Sequence, residues 1–376
     1  MDNNDEKIPQ WYHIKNINSI DSPALIIYAE RVAENISKLK SMIDNVQRLR
    51  PHVKTHKTKE ATLLMMQAGI NKFKCATIAE AEMLAMVNAP DVLLAYQPVG
   101  PKLQRFITLI KKYPSIKFSC LVDNPVSAKK IADAAIENDI EIPVYIDLNV
   151  GMNRTGVEPG DDAIELYKTC ANTKGIKPIG LHAYDGHIRT PDIKQRTIEC
   201  DKAFEKVSIL HKQLIENGFT KPVIIAGGSP TFPIHAKRKD IECSPGTFIY
   251  WDKGYKDLCD EQPFATAALV ISRIVSLPDE TTLCLDLGHK SVAAENEIHK
   301  RVYFLNAPEL KFISQSEEHL VAETNAGHSY KVGDVLYGLP FHICPTCALY
   351  ERALITENNE VAGEWQIIAR DKKITV

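Results

Sequence analysis

RPHVKTHKTKEATLLMMQAGINKFKCA, residues 50–76, reads as a strand over 50–54, an amphipathic helical stretch over 59–68 and a second strand over 72–76. A β-rich run, a helix-period run and another β-rich run make one β–α–β unit, whose strands lie parallel because the helix carries the chain back across the sheet. The same grammar surrounds it. Strand candidates at 24–28, 92–96, 118–122, 143–148, 180–184 and 223–226 alternate with helical candidates at 29–46, 78–86, 102–112 and 124–137. Strand and helix units repeated in this way, eight strands in all, predict a closed parallel (β/α)8 barrel of the TIM type, with a doubly wound sheet as the competing arrangement.

Near residue 255 the pattern changes. Runs at 267–276, 282–286, 302–305, 310–314, 335–339 and 366–370 are strand-like and separated by turns, with no long helix between them. They predict a second, C-terminal all-β domain packed on the first. The opening segment 11–20 has no helical period and is expected to join it. The expected division is therefore a barrel over 21–254 and a β domain made of 1–20 plus 255–376.

The chain of 376 residues leaves room for about two domains. Its 44% apolar and 25% charged residues are those of an ordinary globular protein. A net charge of -3 gives no general attraction to phosphate backbones or anionic lipid, which argues against nucleic acid and membrane as partners. The polar, acidic start lacks the basic and apolar parts of a signal peptide, and no run approaches the roughly 18 apolar residues of a membrane span, so a cytoplasmic protein is expected. The nine cysteines lie scattered in apolar contexts and read as reduced core residues; only Cys344 and Cys347 are paired by spacing.

Barrels carry their chemistry at the carboxyl ends of the strands. There the sequence puts Lys54 and His56, then Cys75 and Thr77, Tyr96 and Gln97, Arg154, the cluster His182, Tyr184, Asp185 and His187, and the run Gly227, Gly228, Ser229 and Thr231. Most lysines are solvated surface cations, but one desolvated at a strand end loses its charge and becomes a nucleophile, which singles out Lys54. The stretch AGGSPT, 226–231, suits an anion, because glycines let backbone amides approach an oxyanion and the hydroxyls of Ser229 and Thr231 add donors; a plain turn is the competing reading. ECSPGT, 242–247, could extend the same cradle. In FHICPTC, 341–347, His342 and Cys344 are two apart and would share one face of an extended strand. An imidazole and a thiolate suit Zn2+ with positions left open for substrate; a structural CxxC site would need a second pair that the chain lacks.

These stretches, with FKCATIAEAE (73–82), LLAYQPVG (93–100), DLNVGMNRTG (147–156), GLHAYDGH (180–187) and SPGTF (244–248), run in order over almost the whole chain. Together they resemble the fold type III pyridoxal-phosphate enzymes, and within them the D-threonine aldolase and D-serine dehydratase group. The resemblance implies that Lys54 condenses with pyridoxal 5'-phosphate, Arg154 contacts the ring near its phenolic oxygen and Tyr184 faces the pyridine nitrogen. It implies that Gly227, Gly228, Ser229 and Thr231 hold the phosphate, and that His342 and Cys344 bind a divalent metal, Zn2+ or Mn2+. It also implies a homodimer acting on a small D-3-hydroxy amino acid.

Two outcomes follow from it. Removal of the hydroxyl proton, by His56 or His187, gives a retro-aldol to glycine and an aldehyde; removal of the α-proton by Lys54 with loss of the hydroxyl gives a 2-oxo acid and ammonia. Aldolases of the group carry aspartate as second metal ligand and histidine where this chain has Asp185, so Cys344 is nearer the dehydratase pattern. The overall run of motifs is nearer the aldolases, which puts D-threonine aldolase first and a D-serine or D-threo-3-hydroxyaspartate dehydratase second. A non-catalytic pyridoxal-phosphate-binding protein is the reading from another class; the small single-domain proteins of that kind lack the β domain and the metal pair. No match to the second base of alanine racemase is found.

Overall fold

The computed structural model describes residues 10–376; the expected place of residues 1–9 in the β domain lies outside the described residues. The chain begins with β1 (Ala24–Tyr28) and α1 (Ala29–Ser41), then α2 (Lys59–Gln67), β2 (Lys72–Cys75), α3 (Ile78–Met86), β3 (Asp91–Leu94), α4 (Pro101–Lys112), β4 (Lys117–Val122) and α5 (Pro125–Glu137). It continues through β5 (Ile142–Asp147), α6 (Asp161–Ala171), β6 (Ile176–Ala183), α7 (Ile193–Glu216), β7 (Val223–Ala226), α8 (Phe232–His235) and β8 (Ile241–Cys243). Strands β2 to β8 form a seven-stranded parallel sheet in sequence order, as right-handed crossovers dictate.

Residues 49–53 close this sheet into a ring. Arg50 N–H donates to Cys243 O at 2.9 Å on one side, and on the other Val53 N–H donates to Lys74 O and Lys74 N–H to Pro51 O, both at 2.9 Å. Pro51 has no N–H to give, so the ladder is broken here and the segment is held by bridges rather than as a regular strand. Two of the barrel helices start where a side chain caps them in this way: Thr77 Oγ1 accepts from Glu80 N at 3.1 Å before α3, and Asn124 Oδ1 from Ser127 N at 2.8 Å before α5 and its leading Pro125.

Alternate residues of each strand face into the ring. At one level the interior is ionic, with buried Arg50 donating to Glu242 Oε2 at 2.7 Å and Asp91 Oδ1 at 2.6 Å. Next along the strands Leu93, Leu121, Tyr145 and Ile225 make an apolar plug. Two residues further on, Ala95, Asp123 and Asp147 reach the level that opens at the strands' carboxyl ends.

The remainder is β-rich: α9 (Lys253–Leu258), β9 (Ala268–Ser276), β10 (Thr282–Leu285), β11 (Val302–Phe304), β12 (Lys311–Gln315), β13 (Leu320–Glu323), β14 (Val335–Pro340), α10 (Ile343–Leu349), β15 (Arg352–Glu357) and β16 (Glu360–Gln366). These strands belong to a nine-stranded sheet in which β1 is central, pairing antiparallel with β9 and parallel with β15. Three strand expectations are corrected by this. The run 24–28 is not a barrel strand, because its backbone partners are in β9 and β15, and the three-residue β8 completes the barrel in its stead; the run 50–54 does take a barrel position, but through the isolated bridges of residues 49–53 and not as a regular strand. The run 366–370 is a 3-10 turn, Ile368–Arg370, after β16 has ended. Residues 11–20 do pack on this sheet, Ile14 and Ile20 being buried with Tyr28, Leu269, Ile271, Tyr337 and Leu339, although not as a strand. No helix among the described residues is long and apolar enough to cross a membrane.

Candidate active site

At the carboxyl ends of the barrel strands lies a cavity of about 550 Å³, lined among others by Lys54, Lys74, Gln97, Arg154, His182, Tyr184, Gly228, Ser229, Ser244, Gly246 and Thr247. Lys54 leaves the ring-closing segment in a turn that is pinned on both sides. Lys57 N–H closes back on Val53 O at 3.0 Å, and the Lys57 amine pairs with Glu80, whose other oxygen accepts from Ala76 N at 2.6 Å. Lys54 itself is exposed at the cavity mouth and not desolvated as expected, because the turn carries it past the buried ring-closing segment. Arg154 comes from the loop after β5, with its guanidinium carbon 5.2 Å from the centre of the Tyr184 ring.

The glycine loop forms the opposite wall. Gly227 has φ +79°, a conformation open to glycine, and a Cβ on Gly228 would stand 3.1 Å from Tyr184 Cε2. Ser229 Oγ accepts from the amides of Gly246 and Thr247 at 3.3 and 3.2 Å, joining the loop to the 244–247 turn. A Cβ on Gly246 would meet His52 O at 3.1 Å. The buried hydroxyl of Ser244 has no hydrogen-bond partner. Bare backbone, clustered hydroxyls and an unsatisfied donor fit a phosphate group, which supplies acceptors and needs close backbone approach.

Thr231 and Gly227, expected at the phosphate, are not among the residues that line the cavity. Thr231 Oγ1 donates to Asp185 Oδ1 at 2.8 Å and accepts from Gly228 N at 3.2 Å, while His235 Nε2 donates to Asp185 Oδ2 at 2.9 Å. These contacts hold the loop in shape from below. Burial works against the Asp185 charge, but the hydrogen bonds from His235 and Thr231 keep its carboxyl below the ordinary range. Asp185, Cys200 and His235 bring ligand atoms within 4.8 Å of one another, as a metal site would. The guanidinium of Arg238 donates to His235 Nδ1 at 2.6 Å and touches Cys200 Sγ at 3.7 Å, so a cation already stands on the cluster and its donors are spent.

On the cavity floor Asp147 and His182 are buried side by side. His182 Nδ1 lies 2.7 Å from Asp147 Oδ1, while Asp147 Oδ2 accepts from Thr155 Oγ1 at 2.8 Å and Gln97 Nε2 at 3.1 Å. Burial raises the Asp147 pKa, but these hydrogen bonds, that of His182 above all, bring it below its usual value. An ionised carboxylate can only accept, so Nδ1 of His182 carries the hydrogen and Nε2 presents a lone pair. That lone pair meets Lys74 Nζ at 3.4 Å.

His342 and Cys344 come together around a corner and not along a strand. β14 ends at Pro340, His342 is extended with φ -136° and ψ 99°, and Cys344 lies in the first turn of α10. His342 Nδ1 is 2.5 Å from Glu295 Oε1, and Cys344 Sγ is 3.1 Å from the hydroxyl of Thr55, the neighbour of Lys54. Burial raises the Cys344 thiol, but the His342 hydrogen bond and the Lys54 charge outweigh it and lower the pKa. Burial likewise opposes the His342 cation, yet hydrogen bonding to Cys344 and Glu295 pushes its pKa up to about 9. A thiol inclined to ionise, beside an imidazole whose other nitrogen is tied to a carboxylate, is a donor set that fits a borderline-soft divalent ion.

Neither histidine expected to take the hydroxyl proton lines the cavity. His56 is buried with Nδ1 accepting Thr58 N–H at 3.2 Å. His187 is exposed and lines a separate cleft with Gly151, Glu158 and Lys202, because the chain swings outward after Asp185. The imidazoles in the cavity are His52 and His182. Sequence reasoning missed His52, Lys74, Asp123 and Tyr255; inward alternation along 50–54 and 72–76 was the available signal for the first two.

Residues 27–253 match the family of the alanine racemase N-terminal domain, and residues 267–356 match a serine dehydratase domain family. D-threonine aldolase of Arthrobacter sp is 24% identical, over 93% of this chain and 93% of that sequence. D-threo-3-hydroxyaspartate dehydratase of Delftia sp. (strain HT23) is 23% identical, over 88% of this chain and 93% of that sequence. Among solved structures, D-threonine aldolase from Filomicrobium marinum superposes with a TM-score of 0.86 at 23% identity, covering 96% of this chain and 99% of that one. A metal-free cysteine-to-alanine variant of a D-threo-3-hydroxyaspartate dehydratase gives a TM-score of 0.78 at 21% identity, covering 93% and 97%. At these identities the structural likeness speaks for the fold.

Proposed function

We propose that this chain, which belongs to the family of the alanine racemase N-terminal domain, is a lyase of D-3-hydroxy amino acids that works with pyridoxal phosphate and a divalent metal ion, in the first place a D-threonine aldolase. The observation that supports it is convergence: Lys54, Arg154, Tyr184 and the Gly228–Ser229 and Ser244–Thr247 cradle line one cavity, and Cys344 touches Thr55 beside Lys54. Pyridoxal phosphate at Lys54 would supply an electron sink for the α-carbon, and a metal at His342 and Cys344 would polarise the 3-hydroxyl.

The chain's own residues then divide the work. The hydroxyls of Ser229 and Ser244 anchor phosphate, and the amides of Gly246 and Thr247 hold Ser229 in place for it. Arg154, held over the Tyr184 ring, offers its cation to the phenolic side. Asp147 keeps His182 in one tautomer, and the His52 ring accepts the backbone N–H of Lys54 at 3.2 Å through Nδ1, which fixes the turn from which the Lys54 side chain leaves. Tyr96 and Val99, exposed at the cavity rim, are the surface a second subunit would cover in a homodimer.

A second reading has its own support. Cys344 as metal ligand favours a D-serine or D-threo-3-hydroxyaspartate dehydratase; a cysteine-to-alanine variant of a relative of the latter name is known in a metal-free form. Products decide. The purified protein with pyridoxal phosphate, a divalent metal and D-threonine is expected to give glycine and acetaldehyde. 2-Oxobutanoate and ammonia would replace the aldolase by the dehydratase, and neither product, with D-serine also inert, would remove the lyase. Borohydride reduction followed by peptide mapping should label Lys54; an unlabelled Lys54 overturns the cofactor site.

A further inference from the structure

We propose that Lys74 is a second proton-carrying amine of this cavity, acting beside Lys54 through a Lys74–His182–Asp147 relay. The inference rests on the cofactor site proposed above and assigns a residue that the expected machinery does not use.

Lys74 is 3% exposed, yet it lines the same cavity as Lys54. A buried lysine is ordinarily an ammonium paired with a carboxylate, as Lys57 is with Glu80. Lys74 has a different neighbour. Among the described residues the hydrogen bond of its amine is to His182 Nε2 at 3.4 Å, and its nitrogen stands 5.6 Å from the centre of the Tyr184 ring. His182 offers a lone pair there because Asp147 holds its hydrogen on Nδ1. Lys74 thus donates one N–H to a neutral imidazole, which leaves the nitrogen lone pair of an uncharged amine free for the cavity. Amine, imidazole and carboxylate in series repeat the logic of a nucleophile or base oriented by a second group that is itself oriented by a third.

The surroundings agree with a mobile proton. Residues 50–54 bring the cations Arg50 and Lys54 and the imidazole of His52; β5 brings Asp147; β6 and the residues after it bring His182, Tyr184 and Asp185, with Arg154 beyond Tyr184. Burial first, then the Lys54 and Arg50 charges, take the proton off, while Asp147 and Asp185 hold it on, and the balance lowers the Lys74 pKa to about 7. In this relay Lys74 alone carries the proton, and His182 and Asp147 orient it: the Lys74 lone pair takes one proton from a group bound in the cavity and becomes an ammonium, still donating to His182 Nε2, and the reverse step returns it. No electrons are exchanged.

Competitive acetylation of the full-length protein with trace acetic anhydride, read lysine by lysine by mass spectrometry from pH 5 to 10, tests this. Lys74 is expected to label with a midpoint near 7, well below the surface lysines, and loading with pyridoxal phosphate should protect it together with Lys54. No label on Lys74, or the pH profile of a surface lysine, overturns the proposal. The second arm is Lys74→Met in the loaded enzyme. It is expected to keep borohydride trapping at Lys54 while kcat/KM on D-threonine falls on the order of 10²-fold and the acid limb of its pH profile moves. An unchanged profile overturns the relay. Failure to trap Lys54 in the unsubstituted protein refutes the cofactor site instead, and the acetylation of the cofactor-free protein still decides the state of Lys74.

Discussion

Replacing His56 by asparagine should flatten the acid sensitivity of folding without touching the cavity. The ring is 1% exposed, its Nδ1 accepts Thr58 N–H and its Nε2 has no partner. Burial pushes its pKa down to about 3, from 6.5 in an unfolded chain. Below pH 6.5 the unfolded chain binds a proton that the folded protein refuses, so the stability tied to this residue is complete above pH 6.5 and is lost as the pH falls toward 3. The loss is about 1.4 kcal/mol per pH unit, or about 2.7 kcal/mol between pH 6.5 and 4.5. Asparagine puts an acceptor where Nδ1 stands and does not titrate. At pH 7.5 His56→Asn should cost about 1–2 kcal/mol for the space it leaves. Urea unfolding of the cofactor-free protein, followed by circular dichroism at both pH values, should show that difference cancelled or reversed at pH 4.5. A difference equal at the two pH values would show that the ring titrates in the folded state much as in water, and the burial argument would fall.

Three other outcomes are expected. Gly228→Ala puts a methyl against Tyr184 and should weaken pyridoxal-phosphate binding about tenfold in a fluorescence titration, roughly 1.4 kcal/mol, with the unfolding midpoint unchanged; equal affinity would place the cofactor elsewhere. Asp185→Asn strands His235 and Thr231 and should lower stability by about 3–5 kcal/mol, seen as a large fall in melting temperature. An unchanged melting temperature would show that the cluster does not brace the loop. His342→Ala and Cys344→Ala should each remove the divalent metal, measured by mass spectrometry of the bound ion, and abolish turnover while cofactor absorbance stays; full metal occupancy in both would move the site.

The alternation of strands and helices was legible because local periodicity encodes it, and so was the convergence of Lys54, Arg154, Tyr184 and the glycine loop, since barrel topology gathers strand ends. What escaped was non-local. Ala-Leu-Ile-Ile-Tyr at 24–28 followed by an amphipathic helix looks like any barrel unit, and only its partners in β9 and β15, more than two hundred residues away, place it in the other sheet. β8 is three residues long, too short to show a period. Lys72 and Lys74 alternate with apolar residues, and inside a barrel that alternation points charge inward, to Glu242 for one and to His182 for the other. His342 and Cys344 meet, but through a strand-to-helix corner that two-residue spacing does not reveal.

The central place of β1 between β9 and β15 makes the entire barrel an insertion in the β layer. On a ribosome the first strand would emerge and then wait while roughly 240 residues are added before β9 appears, a delay of about 10–50 s at ordinary elongation speeds. Until then its edges have no native partner. Nascent chains of this protein should therefore depend on early closure of the barrel, or on a chaperone, to keep that apolar segment from pairing with a stranger.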